Sequence, residues 1–369
     1  MPEPKEAELP LRILVGVVNP NRAGGVFATE GPFLEELRSR AGVHVATFPY
    51  GGLSGYESTL RKSWRLVLDL LRFAFAVLRE RPDVVHLNSA FDSRALFRDT
   101  GYVFFARLLG ARLFIKYHGS SKLLAREAKG MKRRLVNFVF RGARKIGVLS
   151  SEERENFLSG GHPGEKIVVV KNVVNVDRFS GPRHGKPGPP EVLFVARFVP
   201  SKGLLDVIRA MRIVVDRGIP ARLLCVGDGQ EMEAALGLVR TLGLADAVSF
   251  QGYVPEPETT DYYLTSSMLV LPTRTEGFSM TIFQAVAAGL PVVTTKIRAA
   301  ADYLVEPDNC LWIDPGDEKG IAAKIIEVLG SADLRSSMER NNRALARAFV
   351  PLRVVDEYLH VYREIVSHC

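Results

Sequence analysis

Short runs of aliphatic and β-branched residues alternate with longer segments of helical periodicity along most of this chain. Leu11–Val18 reads as a buried parallel strand. A polar, glycine-containing loop over Asn19–Gly25 and a helix through Arg40 follow it. The strand pattern returns at His44–Phe48, Val84–Leu87, Leu113–Tyr117 and Ile146–Val148, and the helical pattern at Lys62–Arg79, Arg98–Leu109 and Lys122–Arg141. Strands separated by helices of this length predict a parallel sheet covered on both faces. Phe179–Pro190, with four prolines and three glycines, interrupts the alternation and reads as a linker. Beyond it, strands at Glu191–Ala196, Arg222–Val226, Val248–Phe250, Met268–Leu271 and Pro291–Thr294 alternate with helices at Leu204–Asp216, Glu231–Leu242, Thr260–Thr265 and Met280–Ala288. The tail from Arg353 is amphipathic, with Val354, Val355, Tyr358, Leu359, Tyr362 and Ile365 on one helical face. The expectation is an α/β protein of two Rossmann-like domains, residues 1–178 and 191–352, with the linker at 179–190 and the helix at 353–369 packing back on the first domain.

Composition narrows the class without changing this picture. The 369 residues are 47% apolar and 24% charged, an ordinary profile for a soluble globular protein of two domains. Cys225, Cys310 and Cys369 are far apart and form no CxxC pair, which argues against a disulfide framework or zinc site and for a reducing compartment. The opening MPEPKEAELP resembles neither a signal nor a transit peptide, and no run approaches the ~18–20 apolar residues of a spanning helix. A cytoplasmic protein is expected, with a peripheral place on the cytoplasmic face of a membrane as an addition to that. Charge is one-sided: residues 1–180 hold 29 Lys and Arg against 18 Asp and Glu, and the remainder holds 20 against 23. Nine of those cations lie in Lys122–Lys145 against the single acid Glu127, interleaved with Leu123, Leu124, Val136 and Phe140. That segment fits an anionic membrane surface, or a core helix with a solvated basic face. Helix 61–81, with Trp64, is a weaker membrane candidate and reads as core. No nucleic-acid motif accompanies the charge.

Candidate chemistry concentrates in Leu271–Val293, read as strand, glycine turn, helix and strand. Glu276 lies at the strand's carboxyl end, where open α/β sheets bind ligands. Gly277 permits close backbone approach, and the amides of Phe278, Ser279, Met280 and Thr281 open a helix suited to an anion such as a diphosphate. Gln284 follows one turn later on the same side. An ordinary strand–turn–helix with an exposed acid is the alternative. Arg197 ends a strand and Lys202 opens the next helix, so both cations are placed to neutralise a diphosphate; two surface cations flanking a turn is the bland alternative. His118 follows a strand and precedes Gly119, and Gly24-Gly25 lies in the first strand-to-helix loop.

The segment around Glu276 resembles the EX7E signature of retaining glycosyltransferase family 4, the group 1 enzymes of GT-B fold. Arg197-Phe-Val-Pro-Ser-Lys-Gly203, Val226-Gly-Asp-Gly229, Gln251-Gly-Tyr-Val254 and Tyr117-His-Gly119 match the family in the same order. The resemblance implies two domains facing across a cleft, with the C-terminal one holding a nucleoside-diphosphate sugar, UDP or GDP being the expected nucleotides. It implies sugar transfer with retention to a hydroxyl of a glycan or lipid-linked acceptor, without cofactor or metal. Arg197, Lys202 and the amides near Phe278, Ser279 and Met280 would take the diphosphate, and Glu276 the donor sugar. Val254 would border the base, while His118 and Gly25 would line the donor-sugar side. Two positions depart from the pattern. Gln284 stands where the family has an acid that accepts from the ribose hydroxyls, and Asn172-Val-Val-Asn175 lacks the family's turn glycine. A nucleotide-sugar epimerase, a phosphorylase or a catalytically impaired membrane-docked scaffold remain alternatives on these residues.

Overall fold

A computed structural model describes residues 10–17, 25–50, 59–185 and 187–367, so Gly24 and Cys369 lie outside the described residues. The chain divides into two units, Met1–Val173 with Pro351–Cys369, and Val174–Val350. Unit 1 runs β1 (Leu11–Val17), α1 (Gly25–Ser39), β2 (Val43–Pro49), α2 (Thr59–Glu80), β3 (Val84–Phe91), α3 (Ser93–Leu108) and β4 (Leu113–Ser120). It continues with α4 (Lys122–Glu127), α5 (Gly130–Gly142), β5 (Ala143–Val148), α6 (Ser151–Ser159) and β6 (Ile167–Val169). Unit 2 runs β7 (Glu191–Val195), α7 (Leu204–Asp216), β8 (Arg222–Val226), α8 (Met232–Thr241), β9 (Val248–Gly252), α9 (Thr260–Thr265) and β10 (Met268–Leu271). It continues with α10 (Met280–Ala288), β11 (Val292–Thr295), α11 (Arg298–Tyr303), β12 (Cys310–Ile313), α12 (Glu318–Gly330) and α13 (Ala332–Ala346); α14 (Pro351–Ser367) returns to unit 1.

Each unit is a parallel six-stranded sheet, in the orders β2-β1-β3-β4-β5-β6 and β12-β11-β10-β7-β8-β9. The strand cores are apolar on both faces, as a sheet covered by helices requires: Ile13 to Val15, Leu113 to Ile115, Val192 to Phe194 and Met268 to Leu271 are all buried. The winding direction reverses between β1 and β3 in unit 1 and between β7 and β10 in unit 2. At such a switch point the loops leaving two adjacent strands diverge and open a crevice at the carboxyl ends. The loop carrying Glu276 leaves β10 at such an end, and His118 lies near the carboxyl end of β4, the strand next to β3.

Several elements differ from the sequence pattern. The helix expected over Lys122–Arg141 is two helices, because Lys129 is extended (φ −123°, ψ 161°) and Gly130 has φ 54°. Most of its apolar residues turn inward: Leu124, Val136, Val139 and Phe140 are buried while Leu123 and Met131 are exposed, so the outward face of α5 is mainly charged. Conversely, Trp64, expected in the core, is exposed on α2, while Phe73 and Val77 of the same helix are buried. β4 extends to Ser120, so His118 lies within the strand rather than just past it. The pair Val173 and Val174, where a turn glycine was missing, is buried and has no left-handed residue, so valine is accommodated.

Two attachments complete the units. Phe179 O and Gly181 O accept from Arg343 at 3.1 and 3.0 Å, and Arg183 donates to Gly289 O at 3.1 Å, tying residues 179–183 to α10 and α13. The six apolar positions of the tail named above are buried in unit 1, where Tyr362 Oη lies 2.7 Å from His86 Nδ1.

Candidate donor site at the carboxyl ends of β7 and β10

Two loops meet beyond the adjacent strands β7 and β10. Ser201 O accepts from Arg274 N at 2.7 Å and from Thr273 Oγ1 at 3.2 Å. Arg274 also donates to Pro200 O at 3.1 Å and to the buried Asp206 carboxylate at 2.9 Å. Gly203 makes the approach possible. Its φ is +76°, and a Cβ there would lie 2.8 Å from Pro272 O. The stitched loops bring Lys202 Nζ onto Glu276 Oε1 as an ion pair, with both side chains largely shielded from solvent. An ammonium has three donors, so Lys202 can hold Glu276 and still serve a second anion.

Arg197 lies two residues past β7 and its side chain is exposed. Its backbone is fixed by a glycine turn. Phe198 N donates to Asp228 O at 2.8 Å, and Gly227 packs so closely that a Cβ would sit 1.9 Å from Ala196 O. The Val226–Gly229 motif therefore shapes the Arg197 loop. Phe278 stacks on Phe283 with centroids 4.0 Å apart, so its ring belongs to the core and only its backbone faces outward chemistry. Ser279 is the residue before α10 and makes no side-chain cap. The amides of the first turn from Met280 thus lack both an intrahelical and a capping partner, the arrangement that favours an anion.

Gln284 is buried and its side chain is engaged. Its Oε1 accepts from Tyr263 Oη at 3.1 Å, and its Nε2 donates to Glu256 Oε1. Glu256 also pairs with Arg178. A carboxylate therefore stands one hydrogen bond from the position where the sequence lost one. Val254 is half-buried in the loop between β9 and Glu256, two residues after Gly252 (φ 73°).

In unit 1, His118 Nε2 lies 3.0 Å from Asn88 Oδ1, and Asn88 Nδ2 donates to Gly16 O at 3.2 Å. The second bond orients the Asn88 amide, so His118 carries its proton on Nε2 and presents Nδ1 as an acceptor. Burial, with the charges of Lys116 and His86 adding to it, drives the His118 pKa well below the ordinary value and so favours the neutral ring. Burial also lowers the Lys116 ammonium to about 7, with the Glu30 charge opposing. Gly25 is the first residue of α1. The structure thus brings Lys202, Glu276 and the start of α10 into one region of unit 2, with Gln284 bound to Glu256. His118 and Gly25 are placed in unit 1.

Asn88, Lys116, Glu256 and Tyr263 are the site neighbours that the sequence pattern did not single out. Asn88 left a trace as a polar residue ending the apolar run Val84–Leu87, and Glu256 as an acid beside the expected base loop.

A model of glycosyl transferases group 1 matches residues 177–345, and a glycosyl transferase 4-like domain matches residues 15–173. The chain is 26% identical over 176 residues to N-acetyl-alpha-D-glucosaminyl L-malate synthase of Bacillus anthracis, covering 47% of this chain and 45% of that one. It is 32% identical over 174 residues to the putative colanic acid biosynthesis glycosyltransferase WcaL of Escherichia coli K12, covering 45% and 42%. The chain spans about half the length of the curated relatives it matches. Its fold is similar to that of Anabaena Alr3699/HepE in complex with UDP and glucose, with a TM-score of 0.74 and 16% identity over 96% of this chain and 99% of that one. With one family model on each unit and two parallel six-stranded α/β sheets of GT-B architecture, the chain belongs to the group 1 glycosyltransferases.

Proposed function

We propose that this chain is a retaining glycosyltransferase that moves a sugar from a nucleoside-diphosphate sugar to a hydroxyl acceptor in glycan, polysaccharide or glycolipid synthesis. The observation that carries the reading is the Lys202–Glu276 pair beside the uncapped start of α10, at the switch point of unit 2. Cation and aligned amides suit the negative charge that grows on a departing diphosphate, and stabilisation of developing charge is where catalysis gains most. Arg197, exposed on the neighbouring loop, would add a guanidinium to the same phosphates. Glu276, its charge balanced by Lys202, would accept from donor-sugar hydroxyls and favour positive charge at the anomeric carbon. The leaving phosphate would take the acceptor proton, and neutral His118 would accept from a sugar hydroxyl through Nδ1.

Ribose recognition on this reading passes to Glu256. Gln284 holds that carboxylate by a hydrogen bond, so the site keeps an acid although position 284 does not supply it. A uridine nucleotide is the first donor to try, since the HepE structure of like fold contains UDP. The whole chain, supplied with UDP-sugars and phosphorylated or lipid-linked acceptors, should release nucleotide only when an acceptor is present. NMR of the product should show the donor's anomeric configuration. An inverted product, or acceptor-independent release, contradicts the proposal.

A further inference from the structure

α2 has two apolar faces, and the fold uses only one. Phe73 and Val77 are buried, with Leu66 and Leu70 partly so. Trp64, Val67, Leu68, Leu71, Phe75 and Leu78 form the other face and are exposed, Trp64 by 66% and Phe75 by 65%. At 100° per residue these six side chains fall on one narrow stripe along the helix. The adjacent α3 repeats the arrangement with Phe97, Phe104 and Leu108, spaced at i, i+7 and i+11 and likewise exposed. The two helices are in close contact, since a Cβ on Gly101 of α3 would lie 3.1 Å from Leu70 of α2. Nine of the sixteen large apolar side chains exposed among the described residues lie on these two contacting helices, which makes this face one patch rather than scattered positions.

Charge identifies what covers it. Arg65, Arg72 and Arg79 recur every seven residues along one flank of the α2 stripe, and all three are exposed. α4 and α5 add the exposed Lys122, Arg126, Lys129, Lys132 and Arg134. Residues 59–145 carry 20 Lys and Arg against 6 Asp and Glu. A second copy docking through the same face would bring two such fields together, which is repulsive. An apolar ridge with aromatic residues, edged by cations on helices lying side by side, is the pattern of a surface that enters the headgroup region of an anionic bilayer. Among the described residues no helix is long and apolar enough to cross a membrane.

We infer that the outer face of α2 and α3 is a docking surface for an anionic lipid bilayer, with Trp64, Leu71, Phe75, Phe97 and Phe104 inserting and the arginine row and α4–α5 cations meeting the headgroups. This moves the insertion site away from Lys122–Lys145, which supplies charge but few exposed apolar groups. The inference is independent of the donor proposed above.

The test is flotation of the full chain with phosphatidylcholine vesicles, with and without a third of phosphatidylglycerol. The chain should float with the anionic vesicles, and its tryptophan emission should shift to the blue in a way that Trp64→Ser abolishes. Leu71→Ser with Phe75→Ser should lower partitioning tenfold or more, about what losing two inserted side chains implies. Arg65, Arg72 and Arg79 changed to Gln should each cost about fivefold. Unchanged circular dichroism and an unchanged thermal shift with UDP-sugars would show that these variants fold and keep any donor site. Failure to float, equal flotation on neutral vesicles, or flotation untouched by Leu71→Ser with Phe75→Ser would each overturn the inference. So would a dimer in light scattering that the same variants dissolve.

Discussion

Lys202 holds Glu276 in the structure, and on the proposed reading a bound diphosphate would share that cation, so the two residues should fail differently when changed. Glu276→Ala should lower kcat for sugar transfer by about 10²–10³ with a small change in donor KM, since it removes an interaction strongest in the transition state. Lys202→Ala should raise donor KM as well as lower kcat, because phosphate charge is present from binding onward. Glu256→Gln should raise donor KM by about tenfold through loss of a charge-assisted hydrogen bond, and Gln284→Glu in that background should recover part of it. Steady-state kinetics on the four variants checks each of these expectations. The buried bases of unit 1 set a pH dependence. Burial lowers the pKa of both His86 and His118 well below 6.5, so the folded state takes up fewer protons than the unfolded one, and stability present above pH 6.5 is lost as pH falls below it. Lys116 acts in the same direction over a higher window, from its ordinary 10.5 down to about 7. Urea melts should therefore show unit 1 less stable at pH 5.5 than at 7.5, and Lys116→Met should flatten the rise between pH 7 and 10. A melt indifferent to pH over both windows contradicts this.

The stitched loops beyond β7 and β10 form the element on which the site depends. Gly203→Ala forces a side chain into left-handed backbone and against Pro272, at a cost of about 2 kcal/mol or more, and should displace Lys202. Arg274→Ala keeps the backbone but frees the loop from Pro200 and Asp206, so a smaller loss of stability with a comparable loss of donor affinity is expected. Denaturation and calorimetric titration separate the two. At this scale much was legible in the sequence: α7, β8, α9, β10 and α10 begin and end where periodicity placed them, because each is bounded by a proline, glycine or strand-end polar residue. The placement of Glu276, Lys202 and Ser279 was legible for the same reason, since they lie in short loops whose position follows from the strands they leave. The contacts of Asn88 and Glu256 were not, because their partners lie 28 or more residues away. α2 shows a further limit. A helix apolar on two faces gives no periodic sign of which face is buried, and only packing against β1 and β2 decides it. α13 leaves little periodic trace in the sequence because just Met338, Asn342 and Ala346 of its fifteen residues are buried.

At the scale of the molecule, two units of similar architecture carry opposite charge, and the proposed chemistry divides between them accordingly. Donor nucleotide should stabilise unit 2 in particular. At about a hundred times its Kd a ligand adds roughly 2.7 kcal/mol to the unit that binds it, so calorimetry should show the unit 2 transition rising while that of unit 1 moves less. Anionic vesicles should act on unit 1 instead, and their effect should fade as salt shortens the reach of surface charge. On the proposed reading unit 2 holds a nucleoside-diphosphate sugar through Lys202, Glu276 and the start of α10. This is tested most directly by titrating the full chain, and its Lys202→Ala and Glu276→Ala variants, with UDP-, GDP- and ADP-sugars while following thermal unfolding. A rise in Tm of several degrees is expected with one nucleotide class, the UDP-sugars first, that Lys202→Ala removes and Glu276→Ala reduces. No rise with any nucleotide sugar, or a rise that both variants leave intact, would contradict it.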